Sequence, residues 1–165
     1  MSSDDFAPDC TNCAALCCIA FAFDKGEYFA HDKDAGEGCK HLDQHRCTIH
    51  ADLAARGYAG CIAYDCLGAG QRVTAIFGQS WRDVPKLTGP MMHAFRIMRD
   101  IQDLRQLLGA ARALPLPADK AAERDAWLAA LESQWTRDSL DRFDANGTAA
   151  AIRVWLRGLA CLLTR

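Results

Sequence analysis

The sequence predicts a mainly α protein: an irregular cysteine-rich module, about residues 8–80, packed on a helical hairpin or three-helix bundle. Three observations lead there. A chain of 165 residues, half hydrophobic and about a quarter charged, has the size and composition of one domain, or of a core with a small appended module. Eight of the nine cysteines lie between Cys10 and Cys66, in text broken by Gly and His. From about residue 88, apolar residues recur every three or four positions, the period of a helix with one buried face. Residues 1–80 thus form the module and 81–165 the helical region, packed as one compact unit.

Element by element, "CIAFAF" and "CIAYDC" are too short for periodicity to choose between strand and helix. "TIHADLAARG" makes one or two helical turns, ended where Gly57 can take a left-handed conformation. "CLGAGQRV" reads as a glycine-bearing turn or loop. It lacks the Lys-Ser/Thr of a phosphate loop and the spacing of a dinucleotide fingerprint. Gly68 and Gly70 serve backbone geometry there, letting the chain wrap closely around a site.

The first long helix starts with Thr88 or Gly89 as its cap and Pro90 at its first position. Its apolar face is Phe95, Met98, Ile101, Leu104 or Arg105, and Leu108. "LPLPAD" ends it and opens a second helix carrying Ala121, Leu128, Leu131 and Trp135, with Trp127 alongside. After "FDANGT" a third carries Ile152, Trp155, Leu156, Leu159 and Leu163. Met91 and Met92 read as gap-filling core, and Cys161 as a small buried hydrophobe. Internal repeats and low-complexity tracts are absent from the sequence.

A formal net charge of −2 gives no electrostatic reason to expect nucleic acid. No run approaches the ~18 apolar residues of a membrane span. "MSSDDFAPD" has neither the basic nor the apolar region of a signal peptide, so the expected compartment is the cytoplasm, with no membrane partner. In a reducing cytosol such a density of thiols points to metal binding or redox chemistry, not to a disulfide framework.

The candidate ligands are Cys10, Cys13, Cys17, Cys18, Cys39, Cys47, Cys61 and Cys66. A C-x2-C turn brings two sulfurs to one side, and thiolates suit zinc, cuprous copper and iron–sulfur clusters. Eight thiolates equal two tetrahedral sites, or one four-thiolate cluster plus buried structural cysteines. Successive side chains point in different directions, so Cys17–Cys18 is expected to be a branch point, one thiol facing a metal and the other a second site or the core. His31, His41 and His45 are expected to face solvent, and His93 belongs to the helix. Asp32, Asp34, Asp43 and Asp65 form an acid–base pair only if the fold gathers them. No Cys–His pair stands apart from the thiol set, so no catalytic residue is assigned.

"CTNCAALCC", "GCKHLDQHRCTIH" and "GCIAYDC" resemble the CxxCxxCC (YkgJ-type) family of zinc- or iron-chelating proteins. Cys10, Cys13, Cys17 and Cys18 match its first block, and Cys39 with Leu42 its second. Cys47-Thr48-Ile49-His50 match the third, and Cys61 with Tyr64 the last. The chain departs in having three residues before the Cys pair instead of two, and "RGYAGC" where the family has Arg-Pro before its cysteine. "YDC-x-GAGQ-x-V" is closer still to the cysteine-rich leader of some bacterial pentapeptide-repeat proteins, though no such repeats follow here. The resemblance covers about residues 8–80 and implies metal binding. His50, three residues after Cys47, reads as a ligand, as a hydrogen-bond donor to a ligand or as the counterpart of a position where the family alternates between Tyr and His, the last being preferred.

Irregular spacing suits an iron–sulfur cluster, whose corners can be reached from scattered loops. Zinc fits almost as well because it also holds small irregular folds together, and the resemblance tips the expectation slightly toward iron–sulfur. Three roles follow: a metal-stabilised adaptor whose helices meet a protein partner, a redox or maturation enzyme with an exposed cluster, and a metal buffer or sensor.

Overall fold

A computed structural model describes residues 3–163, with side-chain surroundings for 5–159. The protein is mainly helical, with 59% of residues in helices and 4% in strands. Seven α-helices lie among the described residues: α1 (Leu16–Ala20), α2 (Ala59–Ala63), α3 (Ala69–Phe77), α4 (Thr88–Ala110), α5 (Ala118–Leu131), α6 (Arg137–Ala145) and α7 (Thr148–Leu163). One short antiparallel hairpin joins β1 (Leu42–Asp43) to β2 (Arg46–Cys47), with Leu42 opposite Cys47.

Helix α4 is the axis of the molecule, about 35 Å long at 1.5 Å per residue. Its expected apolar face is buried, and so are Met91, Ala94, Ile97 and Gln102 on neighbouring faces. The stripe widens because α1, α3, α5, α6 and α7 all pack against it. A 3-10 turn, Pro85–Leu87, runs straight into α4, so neither Thr88 nor Gly89 is its N-cap. The Thr88 hydroxyl instead donates to the Pro85 carbonyl at 2.8 Å, and Pro90 is the third helical residue. Met91 is fully buried and Met92 partly so, as the gap-filling reading requires.

Two helices differ from the sequence reading. "GAGQRV" belongs to α3, which begins after Gly68 in the left-handed conformation (φ 73°). Its glycines mask a helix because they also let the chain turn and approach its neighbours. Helix α6 lies between the second and third expected helices. Thr136 and Ser139 form a reciprocal capping box at its start, and Leu140 and Phe143 are its buried residues. The Thr-x-x-Ser spacing was the available signal. The expected turns ending at Gly57 are present as a 3-10 turn, His50–Asp52, extended to Gly57 at φ 79°.

The main apolar cluster draws on both sides of residue 80. Ala14, Leu16, Ile19, Ala69 and Val73 share it with α4, α5, α6 and α7. A separate small cluster of Ile49, Leu53 and Tyr58, backed by Phe29 and Cys47, holds the loops between α1 and α2. The side chains of Cys161 and Leu163 lie outside the described residues. Among the described residues, no helix is long and apolar enough to cross a membrane.

Candidate functional site

The cysteine text folds as it does because each short segment is fastened from outside. Asp9 caps the 3-10 turn Cys10–Asn12, accepting from the Thr11 and Asn12 amides at 3.0 and 3.3 Å. That turn brings Cys10 and Cys13 to one side. Ala14 is held at both ends of its peptide: its N–H donates to the Thr74 hydroxyl at 2.9 Å, and its carbonyl accepts from the Trp81 indole at 2.7 Å. Ala15 then takes a left-handed conformation (φ 55°) and starts α1. Leu16 and Ile19, both wholly buried, pin that helix to the core. Cys17 and Cys18 lie between these anchors, about 100° apart around the helix axis.

The Cys66 turn is fastened by α4. Arg99 Nε donates to the Asp65 carbonyl at 2.7 Å, and Gln102 Nε2 to the Leu67 carbonyl at 2.8 Å. Gln102 is 1% exposed and accepts at Oε1 from Arg105, which is 7% exposed, at 2.6 Å. Residue 70 leaves room for a thiol: a Cβ there would lie 2.5 Å from Cys13 Sγ and force that side chain to shift. The chain approaches the Cys13 side chain closely at this position. Cys10, Cys13, Cys17, Cys66 and Gly70 line one cavity of about 20 Å³, closed further by Pro8, Asp9, Gln71 and Phe95. A strap, residues 5–9, lies over it. Gln71 Nε2 donates to the Ala7 carbonyl at 2.9 Å, and Arg72 Nη2 to the Asp5 carbonyl at 3.0 Å.

Cys18, Cys39, Cys47 and Cys61 do not line that cavity, yet Cys47 and Cys61, raised by burial, lie near enough to Cys17 for its charge to raise them further. The Cys39 amide donates to the Cys18 carbonyl at 3.2 Å, and the Leu42 amide to the Cys39 carbonyl at 2.8 Å. Leu42 pairs with Cys47 across the hairpin. The Cys61 amide donates to the Tyr58 carbonyl at 3.0 Å. At Gly60, beside it, a Cβ would overlap the Phe29 ring. Lys33, 7% exposed, donates to the Asp34 and Glu37 carbonyls, both at 2.9 Å. Its charge bears on Cys39 and Cys18. Nothing in the spacing of the sequence signalled Lys33 or Gln102; Asp9, directly before a C-x2-C turn, carried the signature of a cap.

All eight thiols are free. Burial raises those of Cys13 and Cys61 from 9.0 to about 11, and those of Cys10 and Cys47 as well. A hydrogen bond with the Cys18 thiol, together with burial, raises that of Cys17. Mutual repulsion adds to each of these shifts: Cys10 responds to Cys17, Cys66 and Cys47, and Cys61 to Cys17, Cys39 and Cys47. Without a cation, Cys10, Cys13, Cys17, Cys47 and Cys61 stay protonated and weakly nucleophilic near neutral pH. Among the described residues, no three His, Cys, Asp or Glu side chains already stand in a metal-holding arrangement.

The histidines expected to face solvent are half-buried and bonded. His41 Nε2 and His31 Nδ1 both lie 2.8 Å from the hydroxyl of buried Tyr58, and His45 Nε2 lies 2.6 Å from Ser80 Oγ. Polar loop text hid this because the partner Tyr58 is distant in sequence. His50 is exposed. His93 lies on α4, 3.5 Å from Asp141. Asp32, Asp34, Asp43 and Asp65 are exposed. Asp32 accepts from the Lys25 amide at 2.6 Å and Asp65 from the Leu67 amide at 2.8 Å, both as local turn bonds.

No family model matches the chain. No solved structure matches it either. The chain is 38% identical over 115 residues to a curated relative, the uncharacterized protein YybG of Bacillus subtilis (strain 168), a match that covers 68% of this chain. The match spans 41% of that relative's own length.

Proposed function

We propose that this chain is a thiolate metal-binding protein of the CxxCxxCC type, with Cys10, Cys13, Cys17, Cys18, Cys39, Cys47, Cys61 and Cys66 as its donors. One observation carries the reading: thiols from separate segments, Cys10 and Cys13, Cys17, and Cys66, line a single small cavity from which residue 70 withholds a side chain. A partly buried group of thiols that repel one another's charge is a poor nucleophile and a good receiver for a soft cation, which removes the repulsion and takes the place of the protons. The cavity's size bears on the choice of metal. About 20 Å³ accommodates roughly one water-sized body. That favours a single zinc ion over the bulkier iron–sulfur cluster of the sequence reading.

The role that follows is structural and cytoplasmic: the metal holds the loops around α1, and the outer helices are left for a protein partner. Anaerobic purification followed by metal and acid-labile sulfide analysis tests it. Zinc without sulfide, in a colourless protein, is the expected result. Iron with sulfide would restore the cluster. A chain that stays folded in chelator, is metal-free from both anaerobic and aerobic cells, and contains only disulfides would sink the thiolate reading.

A further inference from the structure

Residues 5–9 lie over the thiol cavity, and little of their own holds them there. Pro8 and Asp9 close the space lined by Cys10, Cys13, Cys17 and Cys66. Ala7 and Pro8 are exposed, Asp5 and Phe6 are half-buried, and none of residues 5–9 belongs to either apolar cluster. The grip comes from side chains of α3 and α4. The Asp5 carbonyl accepts from Arg72 Nη2 at 3.0 Å and from Gln102 Nε2 at 3.2 Å, and Gln71 Nε2 holds the Ala7 carbonyl at 2.9 Å. The Asp5 carboxylate lies 3.7 Å from Arg72, and the Arg105 guanidinium lies 5.5 Å from the centre of the Phe6 ring. Burial and the Arg72 charge lower Arg105 from its ordinary value, and Asp5 and Glu132 work against both. Asp9 is fastened differently. Its side chain accepts from the Thr11 and Asn12 amides, and from the Asn12 side chain at 2.7 Å, which fixes it to the cysteine turn.

We propose that residues 5–8 are a hinged lid over the thiol cavity, pivoting at Pro8–Asp9 and latched by Gln71, Arg72, Gln102 and Arg105. The inference goes beyond the thiolate reading and does not require it, since the lid covers the sulfurs whether or not a cation joins them. A segment held by side-chain hydrogen bonds and one aromatic ring, with no share of the apolar core, opens at far lower cost than the helices beneath it. Cys10 is exposed even with the lid closed, so the lid governs what reaches Cys13, Cys17 and Cys66. The latch also ties the lid to the far wall of the cavity. Gln102 Nε2 donates both to the Asp5 carbonyl and to the Leu67 carbonyl, next to Cys66. Cys18, Cys39, Cys47 and Cys61 do not line the cavity, so their access does not depend on the lid.

The test is anaerobic alkylation of the reduced full chain with N-ethylmaleimide, quenched at intervals and read cysteine by cysteine by tandem mass spectrometry. Far-ultraviolet circular dichroism monitors the helices. Gln71→Ala/Arg72→Gln removes two of the latch bonds, one of them charged, and is expected to speed Cys13, Cys17 and Cys66 roughly ten-fold. Cys18, Cys39, Cys47 and Cys61 are expected to keep their wild-type rates. Asp5→Asn, a change on the lid itself, is expected to show the same selectivity at roughly three-fold. It decides the matter should the double variant lose its helices. Arg96→Gln, whose partner Asp144 lies on α6 away from the lid, is expected to match wild type. Wild-type rates at Cys13, Cys17 and Cys66 in every lid variant that keeps its helices overturn the proposal. So does acceleration of all eight cysteines alike, which reports a loosened fold or a lost metal instead of an opened lid.

Discussion

Cys13 and Cys61 differ in exposure yet respond to pH in the same direction. Burial raises both thiols to about 11 from an ordinary 9.0. Between those two values the folded, metal-free chain keeps protons that the unfolded chain has already released. Stability is therefore full below pH 9 and declines as pH rises toward 11. The urea midpoint of the reduced, metal-free protein is expected to be lower at about pH 10 than at about pH 8, and Cys61→Ser is expected to narrow the difference. Equal midpoints would show that the thiols are not buried against their own charge. Of this picture, the residue types were legible in "CTNCAALCC", but the pairing of Cys13 with Gly70 was not. Fifty-seven positions separate them, and only the packing of α3 against the cysteine turn brings them together.

At the level of elements, α4 does more than supply an apolar face. The helical period named Leu104 or Arg105 as the buried position and both are buried, while Gln102, which it did not name, is buried too and holds the Cys66 turn through Leu67 with Arg105 bonded to its Oε1. Gln102→Ala leaves the Leu67 carbonyl and an Arg105 N–H without a partner. It is expected to cost about 1–3 kcal/mol in urea denaturation and to weaken metal retention. Gln106→Ala, on the exposed face of the same helix, is expected to stay within about 0.5 kcal/mol of wild type. Matching losses at 102 and 106 would show that the buried amide contributes no more than helix propensity. The long helices α4, α5 and α7 were legible because their apolar residues recur over many turns. Helix α3 was not, because Gly68 and Gly70 read as loop text.

Across the whole molecule, the shared core decides which part would depend on the proposed metal. Leu16, Ile19, Ala69 and Val73 pack with α4, so α1 and α3 have apolar support of their own. Among the described residues, the segment between α1 and α2 has the small cluster around Tyr58 and only Leu42 packed against the main core. Removing metal is therefore expected to expose this segment first. Limited trypsin digestion in chelator is expected to cut at the exposed Lys25, Lys40, Arg46 or Arg56 before Arg72 or Arg99, as mass spectrometry of the fragments will show. Early cleavage at Arg72 would mean that α3 also depends on the thiols for its stability.

By itself, the sequence determined the helical class and the concentration of cysteines before residue 67, and it led to the expectation that Cys17 and Cys18 face different surroundings. These follow from local rules: the helical period, the reach of a C-x2-C turn and the angle between successive side chains. Which sulfurs face one cavity was decided only by the tertiary structure. That grouping depends on contacts between distant segments, Cys13 with Gly70, Ala14 with Thr74 and Trp81, and Leu67 with Gln102, and no local rule relates residues so far apart along the chain.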